Sequence, residues 1–577
     1  MSRTSRPLLV LTVLAVAVAV VFVALSRDDA DLRPNQSSVA APLDPANPPQ
    51  GHVYTGVAEE PNDLCPFTTS SAVARRMVLG FTHDTLLDLD PETGALRGAL
   101  AASWEVEPSG LAMTITLRRG VVFSDGSPLT LDDVLFTHAV ASAKGVVLGS
   151  LADGMRLCKM VTRVDGREDQ LRIEFAAPHF AAARAIGESW IVVNRRWWLA
   201  RLGERANRDG RSMPPFTSPE FGALLGTLTQ SPGPGTGPYR FDDETEDRPS
   251  WRRGIDLTIR RHEGSWRRQQ AGHWNLAAIR VRFLAEPAAR YAALKKRELD
   301  WYSAPDLKAQ LDADKALDAD YRRLVYDMPS LGAYLVQWNT KREDLRDPIV
   351  RRALGLLFDR QGIADRLFAG VARPAAVVAK PGQPGYPNEL SPLPFDPKGA
   401  RLLLAAAGYG ADQGRPLRIR LMVPSEAPWF RRMGELFADA ASTAGVELEL
   451  QVLAFKELIQ RRDSGDWDAG LVLVSMPTLG DPFELFHSTG TRNPGGYANP
   501  AVDRLLEAQR REVDVLRRAE LLQQCHRLLA ADQPCALLVH PLVEILVDRR
   551  LQGVEPGPLG LWPERLWMPV EFQRPGG

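Results

Sequence analysis

What this chain lacks narrows its function before any motif is read. Its charge is balanced, 70 Lys and Arg against 71 Asp and Glu for a net charge of −1, so no basic field exists to attract nucleic acid. Its nine histidines are scattered, and none lies three to five residues from another, which removes the usual zinc spacings and leaves no metal or cofactor to expect. It has no G-x-S-x-G elbow and no H-E-x-x-H helix, so no catalytic residue can be named; His487 and His540 read as turn or packing residues. The glycine-rich run SPGPGTGPYRF (Ser231 to Phe241) lacks a following Lys-Ser/Thr and opens no helix, which argues against a phosphate loop and for a junction leading into a strand at Tyr239 to Phe241.

What is present begins with an address. Arg3 and Arg6 precede an 18-residue apolar run from Leu8 to Leu25, interrupted only by Thr12, with Asp28, Asp29 and Asp31 behind it. Basic before and acidic after places the N-terminus in the cytoplasm and exports the rest. As a helix the run is ~27 Å long, close to a bilayer core, while Ala24-Leu25-Ser26 offers small residues suited to cleavage. Residues 1–26 are therefore a cleaved signal or a membrane anchor formed by residues 8–25, and both readings stay open. No cysteine follows the run before Cys65, which speaks against lipid attachment. Residues 27–51 hold five prolines and no apolar period, a tether. In an oxidising compartment the four cysteines are disulfide candidates, with neighbourhood favouring Cys65–Cys158 and Cys525–Cys535 over the other pairings and buried free thiols as the alternative.

Elements can be read along the chain. Ser103 to Glu107 and Leu111 to Leu117 form a hairpin, with Met113, Ile115 and Leu117 on one face. Asp125-Gly126-Ser127-Pro128 is a turn, and Thr130 with Asp133 forms a capping-box pattern ahead of an apolar helix face at Val134, Leu135 and Phe136. Asp347-Pro348, Asp396-Pro397 and Asn499-Pro500 each open a helix with a cap and a proline in its first turn. Strands at Leu417 to Val423, Val446 to Leu453 and Trp467 to Ser475 alternate with helices, the signature of an α/β lobe.

Five of these segments occur together and in one order. LAASWEVEPSGLAMTITLRRGVVFSDGSPLTLDDVLFT, GTGPY (Gly235 to Tyr239), the stretch from Trp338 to Ala375, FDPKGARLLLAAAGY (Phe395 to Tyr409) and the stretch from Asp481 to Arg511 resemble the family 5 extracellular solute-binding proteins, which capture peptides, nickel complexes and related solutes for ABC importers. Together they span roughly residues 53 to 560. The resemblance implies a two-lobed α/β fold of the periplasmic-binding-protein type, with a third sub-domain and a hinged cleft. It places lobe one at 52–92, 235–336 and 537–577, the extra sub-domain at 93–234 and lobe two at 337–536. It also implies a monomer in the periplasm or cell envelope, with a peptide or other small solute as ligand, an ABC permease as partner and no enzymatic activity. A membrane-anchored binder serving a sensor or chaperone is an alternative, and an exported hydrolase a more distant one.

The same resemblance nominates ligand contacts. The loop after the first strand borders the cleft and contributes Glu60 and Asn62; here Cys65 replaces an Asp common in the family. Tyr334, Trp338 and Asn339 follow from the crossing into lobe two, and Ser475, Thr478 and Asp481 from the fifth motif. Peptide-binding members anchor the ligand's α-amine with an aspartate three residues before that motif's Asp-Pro, and this chain has Thr478 there. A hydroxyl can accept a hydrogen bond but cannot neutralise a buried ammonium. Trp197, Trp198, Trp301, Trp429 and Trp467 are further aromatic candidates for cleft or core.

Overall fold

The computed structural model of the protein describes residues 51–574, apart from 70, 92, 149–156, 229, 231, 242–248, 270–272, 304–307, 329, 411–412, 426, 477–479 and 558–559. The apolar run at 8–25 and the tether up to residue 50 lie outside the described residues. Among the described residues no helix is long and apolar enough to cross a membrane.

The chain starts in lobe one with β1 (Val53–Val57) and α1 (Ala72–Met77). It leaves for the sub-domain, where β2 (Ala101–Val106), β3 (Ala112–Leu117), α2 (Leu131–Ala141), β4 (Cys158–Arg163) and β5 (Gln170–Phe175) are followed by helices α3 (Ala182–Ser189) and α4 (Arg195–Arg208). The sheet runs β2-β3-β5-β4, antiparallel throughout. The alternation predicted for β3 holds: Met113, Ile115 and Leu117 are buried in a core shared with Leu171, Ile173 and Trp190, which is what period two requires of a half-buried strand. At the start of α2 the Asp133 carboxylate accepts from both the N–H and the hydroxyl of Thr130; its other oxygen accepts from Arg195 N, so one acid organises the starts of two helices.

GTGPY brings the chain back. A Cβ on Gly235 would sit 1.9 Å from Thr82 O, and one on Gly237 would sit 2.5 Å from Phe81 O. The two glycines therefore let two backbones touch, and Gly237 N donates to Thr82 O at 3.0 Å. The run leads into β6 (Tyr239–Arg240), then β7 (Asp256–Arg261) and β8 (Ala278–Arg282), in the order β1-β8-β7-β6 with β1 and β8 parallel. Sub-domain and lobe one are joined by a buried ionic cluster: Arg267 donates to Asp84 and Asp88, while Trp266 and Thr236 donate to the second oxygen of Asp84. With each polar atom of that cluster paired, the two units are held in one orientation.

β9 (Trp301–Tyr302) and β10 (Tyr321–Tyr326) complete the outward path of lobe one. Lobe two then contains β11 (Ala333–Trp338), α5 (Pro348–Gly355), β12 (Ala372–Pro374), α6 (Pro397–Ala406), β13 (Leu417–Pro424), α7 (Pro428–Thr443), β14 (Val446–Leu453), α8 (Phe455–Ser464), β15 (Ala469–Val474), α9 (Pro500–Arg511), α10 (Val515–Asp532) and β16 (Cys535–Pro541). Its sheet has the order β12-β16-β11-β15-β13-β14. β13 is parallel to β14 and β15, and β11 is antiparallel to β15 and β16. The predicted helix starts are present: Asp347, Asp396 and Asn499 accept from Ile349 N, Gly399 N and Ala501 N. The last strand, β17 (Val543–Asp548), returns to pair with β9 and β10.

Two crossings differ from the sequence boundaries. β11 begins at Ala333, so the chain has entered lobe two before residue 337. β16 pairs with β11 and β12 through Pro541, so the return to lobe one falls at Leu542 instead of residue 537. The sub-domain also begins earlier than 93, since Leu86 and Leu87 are already part of its core. The family motifs mark turns and helix starts, whereas the crossings lie in apolar strands whose sequence does not say which lobe they join.

Candidate functional site

Two segments connect lobe two to lobe one: residues 327–332 between β10 and β11, and Leu542 between β16 and β17. They run side by side and are clasped by lobe-two side chains. Lys380, almost fully buried, donates to the Asp327 carboxylate and, at 2.8 Å, to Met328 O. Burial lowers its pKa, and the Asp327 charge counters only part of that fall. His540 Nδ1 lies 3.0 Å from Gly332 O, and burial keeps that imidazole neutral by lowering its pKa. Met476 N donates to Ser330 O at 3.1 Å, which ties the loop after β15 to the first crossing. This is the geometry of a hinge, two adjacent strands whose few linking residues absorb a rotation.

A depression of about 500 Å³ opens beside this hinge, at the carboxyl ends of the parallel strands β13 and β15. That is where open α/β sheets take ligands, because the chain diverges there and leaves a crevice. Phe430 reaches it from the first turn of α7, Phe455 from the first residue of α8, and Leu473 from β15. Arg462, whose guanidinium pairs with the neighbouring Asp463 at 3.2 Å, and Arg492 supply its cations, and no carboxylate is among the described residues that line it. Arg492 also donates to Ser475 O at 2.9 Å, and its own carbonyl accepts from Gln337. The wall is thus apolar with a cationic rim, suited to an apolar side chain beside an anionic group.

The sub-domain meets lobe two across the molecule. Phe180 N donates to Arg510 O at 3.0 Å, and the Arg518 guanidinium lies 3.4 Å from the centre of the Phe180 ring. Arg510 in turn donates to Asp481 at 2.7 Å. Burial lowers the pKa of Arg518 to about 10, against the pull of Asp481, which leaves it charged at neutral pH.

The residues nominated from sequence occupy different parts of this arrangement. Glu60 accepts from Trp251 Nε1 at 3.0 Å and from Gly254 N at 3.1 Å, so its carboxylate holds the turn before β7. Asn62 is exposed in the same loop. Tyr334 is buried between Phe368 and Phe430, and burial raises its phenol to about 12; it supports the pocket wall from behind. Trp338 and Asn339 stand at the opposite end of β11 from the hinge, about 17 Å away along the strand. Trp338 belongs to the lobe-two core. Asn339 donates to Trp467 O and lines an open depression of about 530 Å³ that adjoins the hinge-side pocket through Arg462 and Thr491. Ser475 does not line the hinge-side pocket; its carbonyl accepts from Arg492, which does. Thr478 lies outside the described residues. Asp481 accepts from Phe483 N, Gln509 and Arg510, so it caps the turn and anchors the contact with the sub-domain. Phe430, Phe455, Arg462 and Arg492 were not nominated; only their position after the strand ends of an α/β lobe could have signalled them.

All four cysteines are free thiols in this structure, so the pairings expected from sequence neighbourhood are not formed. Cys65 packs with Phe67 and Trp198, whereas Cys158 packs against the core under β3 and β5. Cys525 and Cys535 share one lobe-two cluster without a bond. Burial raises the pKa of Cys158, Cys525 and Cys535 to about 12, leaving thiols that behave as small apolar groups. Among the described residues no group of three or more His, Cys, Asp or Glu could hold a metal.

Comparison with known proteins places this geometry. Protein XP55 of Streptomyces lividans is 28% identical over 521 residues, covering 86% of this chain and 85% of its own. The oligopeptide-binding protein AppA of Bacillus subtilis is 22% identical over 573 residues, 96% of each chain. The solved structure of AppA in complex with a nonapeptide superposes with a TM-score of 0.72 at 19% identity, covering 91% of this chain and all of that one. The profile of the bacterial extracellular solute-binding proteins, family 5, matches residues 95–496, well over half of the sequence. The chain belongs to the family 5 bacterial extracellular solute-binding proteins.

Proposed function

We propose that this protein captures a peptide or peptide-like solute between its lobes outside the cytoplasm and delivers it to an ABC importer in the membrane, without catalysing a reaction. The observation that supports this most directly is the hinge-side pocket: an apolar wall with two arginines at the strand ends, beside two adjacent crossing segments that run antiparallel to each other. AppA, similar along the full chain, was solved with a nonapeptide. The ligand's chemistry follows from charge. A free α-ammonium buried in the closed cleft needs an ionic partner or costs several kcal/mol. The lining offers guanidinia instead of carboxylates, and position 478 offers a hydroxyl. The preferred solute is therefore longer than a tripeptide, blocked at its N-terminus or not a peptide, and it presents an anionic group to Arg462 and Arg492.

Calorimetry tests this with free-amine di- and tripeptides, their N-acetylated counterparts and a mixture of longer peptides, against wild type and Thr478→Asp. Wild type should prefer the acetylated or longer peptides, and the variant should gain affinity for free amines by at least about tenfold, the worth of one charge-assisted contact. Low-micromolar binding of free dipeptides to wild type, unimproved in the variant, would overturn the ligand assignment. Failure of every solute to compact the protein in small-angle scattering, at demonstrated saturation, would overturn the hinged-capture reading itself.

A further inference from the structure

A second cavity, of about 330 Å³, lies in lobe two and shares no lining residue with the hinge-side pocket. It sits where the start of β16 meets the end of α10, closed by the segment after β12 and by the loop at Leu390 to Leu393. Its charged lining is arginine alone, Arg352, Arg360 and Arg527, with Ser391, His526, Gln533 and Cys535 as the uncharged polar groups. Arg360 is buried, and its Nε donates to Leu537 O at 2.6 Å while Nη1 donates to Gly355 O, Phe358 O and Leu393 O. Carbonyls alone receive it. No carboxylate pairs with it among the described residues, and its Nη2 has no acceptor there. Burial brings its pKa down to about 10, so it keeps its charge at neutral pH.

The remaining groups do not cancel that charge. Arg352, exposed at the mouth, has no carboxylate partner among the described residues, and Arg527 is engaged by Glu389 at 2.6 Å. No Asp or Glu lines the cavity. The carbonyls at the end of α10, which would carry the negative pole of the helix, are taken up by Arg351 through Asp532 O and Gln533 O. His526 is neutral because burial lowers it to about 4, and the Cys535 thiol is held protonated because burial raises it to about 12. The Nη2 edge of the Arg360 guanidinium opens into the cavity with no counter-charge beside it, so an anion placed there would gain a charge-assisted partner. The rest of the wall, including Val378, Leu529 and Leu537, is apolar, so the anion has an apolar body.

We propose that this cavity is a second ligand site, separate from the inter-lobe cleft, that takes a small organic carboxylate with an apolar body. Nη2 of Arg360 receives one carboxylate oxygen end-on, since the other edge of that guanidinium is occupied, and Arg352 closes over the head group from the mouth. The volume is at the small end of ligand pockets, that of a metabolite instead of a peptide.

The test uses the purified full chain and hexanoate as probe, with hexylamine and inorganic phosphate as charge and shape controls. Hexanoate should bind saturably at one site, with hexylamine and phosphate neither binding nor competing. Arg352→Gln should weaken it by about tenfold, the value of one charge-assisted contact. Ala376→Trp, which fills the cavity from a half-buried position, should abolish it while leaving circular dichroism and melting temperature unchanged. No saturable hexanoate binding up to about 10 mM, a very weak affinity by any measure, would overturn the proposal. So would binding that survives Ala376→Trp, because the probe would then sit elsewhere. Equal binding of phosphate would overturn the assignment of an apolar body.

Discussion

Replacing Phe180 by alanine should open the molecule without unfolding it. The ring is held by the Arg518 guanidinium 3.4 Å from its centre, on a side chain that is itself buried. A desolvated cation–π contact of this kind is worth about 2 kcal/mol, and losing a half-buried ring removes about 1 kcal/mol more of apolar burial. The backbone bond from residue 180 to Arg510 O survives the change. The closed arrangement thus loses about 2–3 kcal/mol relative to the open one, a shift of roughly 30- to 150-fold in their ratio. If solute binds only the closed form, its apparent affinity falls by the same factor when the free protein is mostly open, and by less when it is mostly closed. In the second case the shortfall appears as a larger radius of gyration of the free protein. Phe180 is part of none of the core clusters, so the melting temperature should hold. Calorimetry and small-angle scattering on wild type and Phe180→Ala give both quantities. An affinity within twofold of wild type together with an unchanged radius would refute the idea that this contact governs closure.

Three further outcomes are expected. Burial alone would raise the carboxyl of Glu564, but the hydrogen bond from His273 and the charges of Arg97 and Arg267 outweigh it and hold it at about 2, below its ordinary 4.5. The stability it contributes is complete above 4.5 and disappears as pH falls toward 2, so acid unfolding followed by circular dichroism should show Glu564→Gln less stable than wild type at pH 7, with the gap closing in that window; a constant gap would contradict the linkage. Lys380→Met should cost about 1–3 kcal/mol in urea unfolding, less than a fully buried pair because Asp327 is partly exposed and is rehydrated once its partner is gone; a stability equal to wild type would show that the clasp contributes nothing. Thiol titration of protein purified without reductant should find four reactive groups after denaturation and very slow reaction before it, since burial holds Cys158, Cys525 and Cys535 as thiols; two thiols or none would restore the disulfides.

Much of the scaffold was legible because it is written in local chemistry. Thr130 with Asp133, Asp347-Pro348, Asp396-Pro397 and Asn499-Pro500 are caps, and a cap acts within four residues of itself. β3 could be read from period two because one face of its sheet is buried. The crossings at residues 327–332 and Leu542 could not be read, because a strand's membership in one lobe or the other depends on partners a hundred or more residues away. The pocket was hidden for the same reason. Phe430, Phe455 and Arg492 come from three separate elements, and only the parallel pairing of β13 with β14 and β15 brings the ends of those strands to one side. The Cys65–Cys158 pairing is not formed because sequence neighbourhood says little about which core a cysteine enters, and these two enter different ones, while Cys525 and Cys535 share a core without being bonded.

Asp481 illustrates how a motif can be read correctly and still be incomplete. Its Asp-Pro step predicts a turn, and its bond from Phe483 N fulfils that. The same carboxylate receives Gln509 and Arg510, and Arg510 carries the carbonyl that holds Phe180 of the sub-domain. One acid therefore fixes the start of the short helix Phe483–Phe486 and, through one arginine, the surface on which the sub-domain closes. A ligand contact at Asp481 would compete with Arg510 for the same oxygens. Any solute that drew on that carboxylate would weaken the latch that encloses it, so binding and closure would oppose each other. The arrangement works only if the solute's charge is met elsewhere, and the arginine-lined pocket beside the hinge supplies that alternative for an anion. An ammonium has no equivalent there. The geometry that lets Asp481 stabilise closure is thus the same geometry that, on the proposed reading, leaves a free amine without a carboxylate in the cleft.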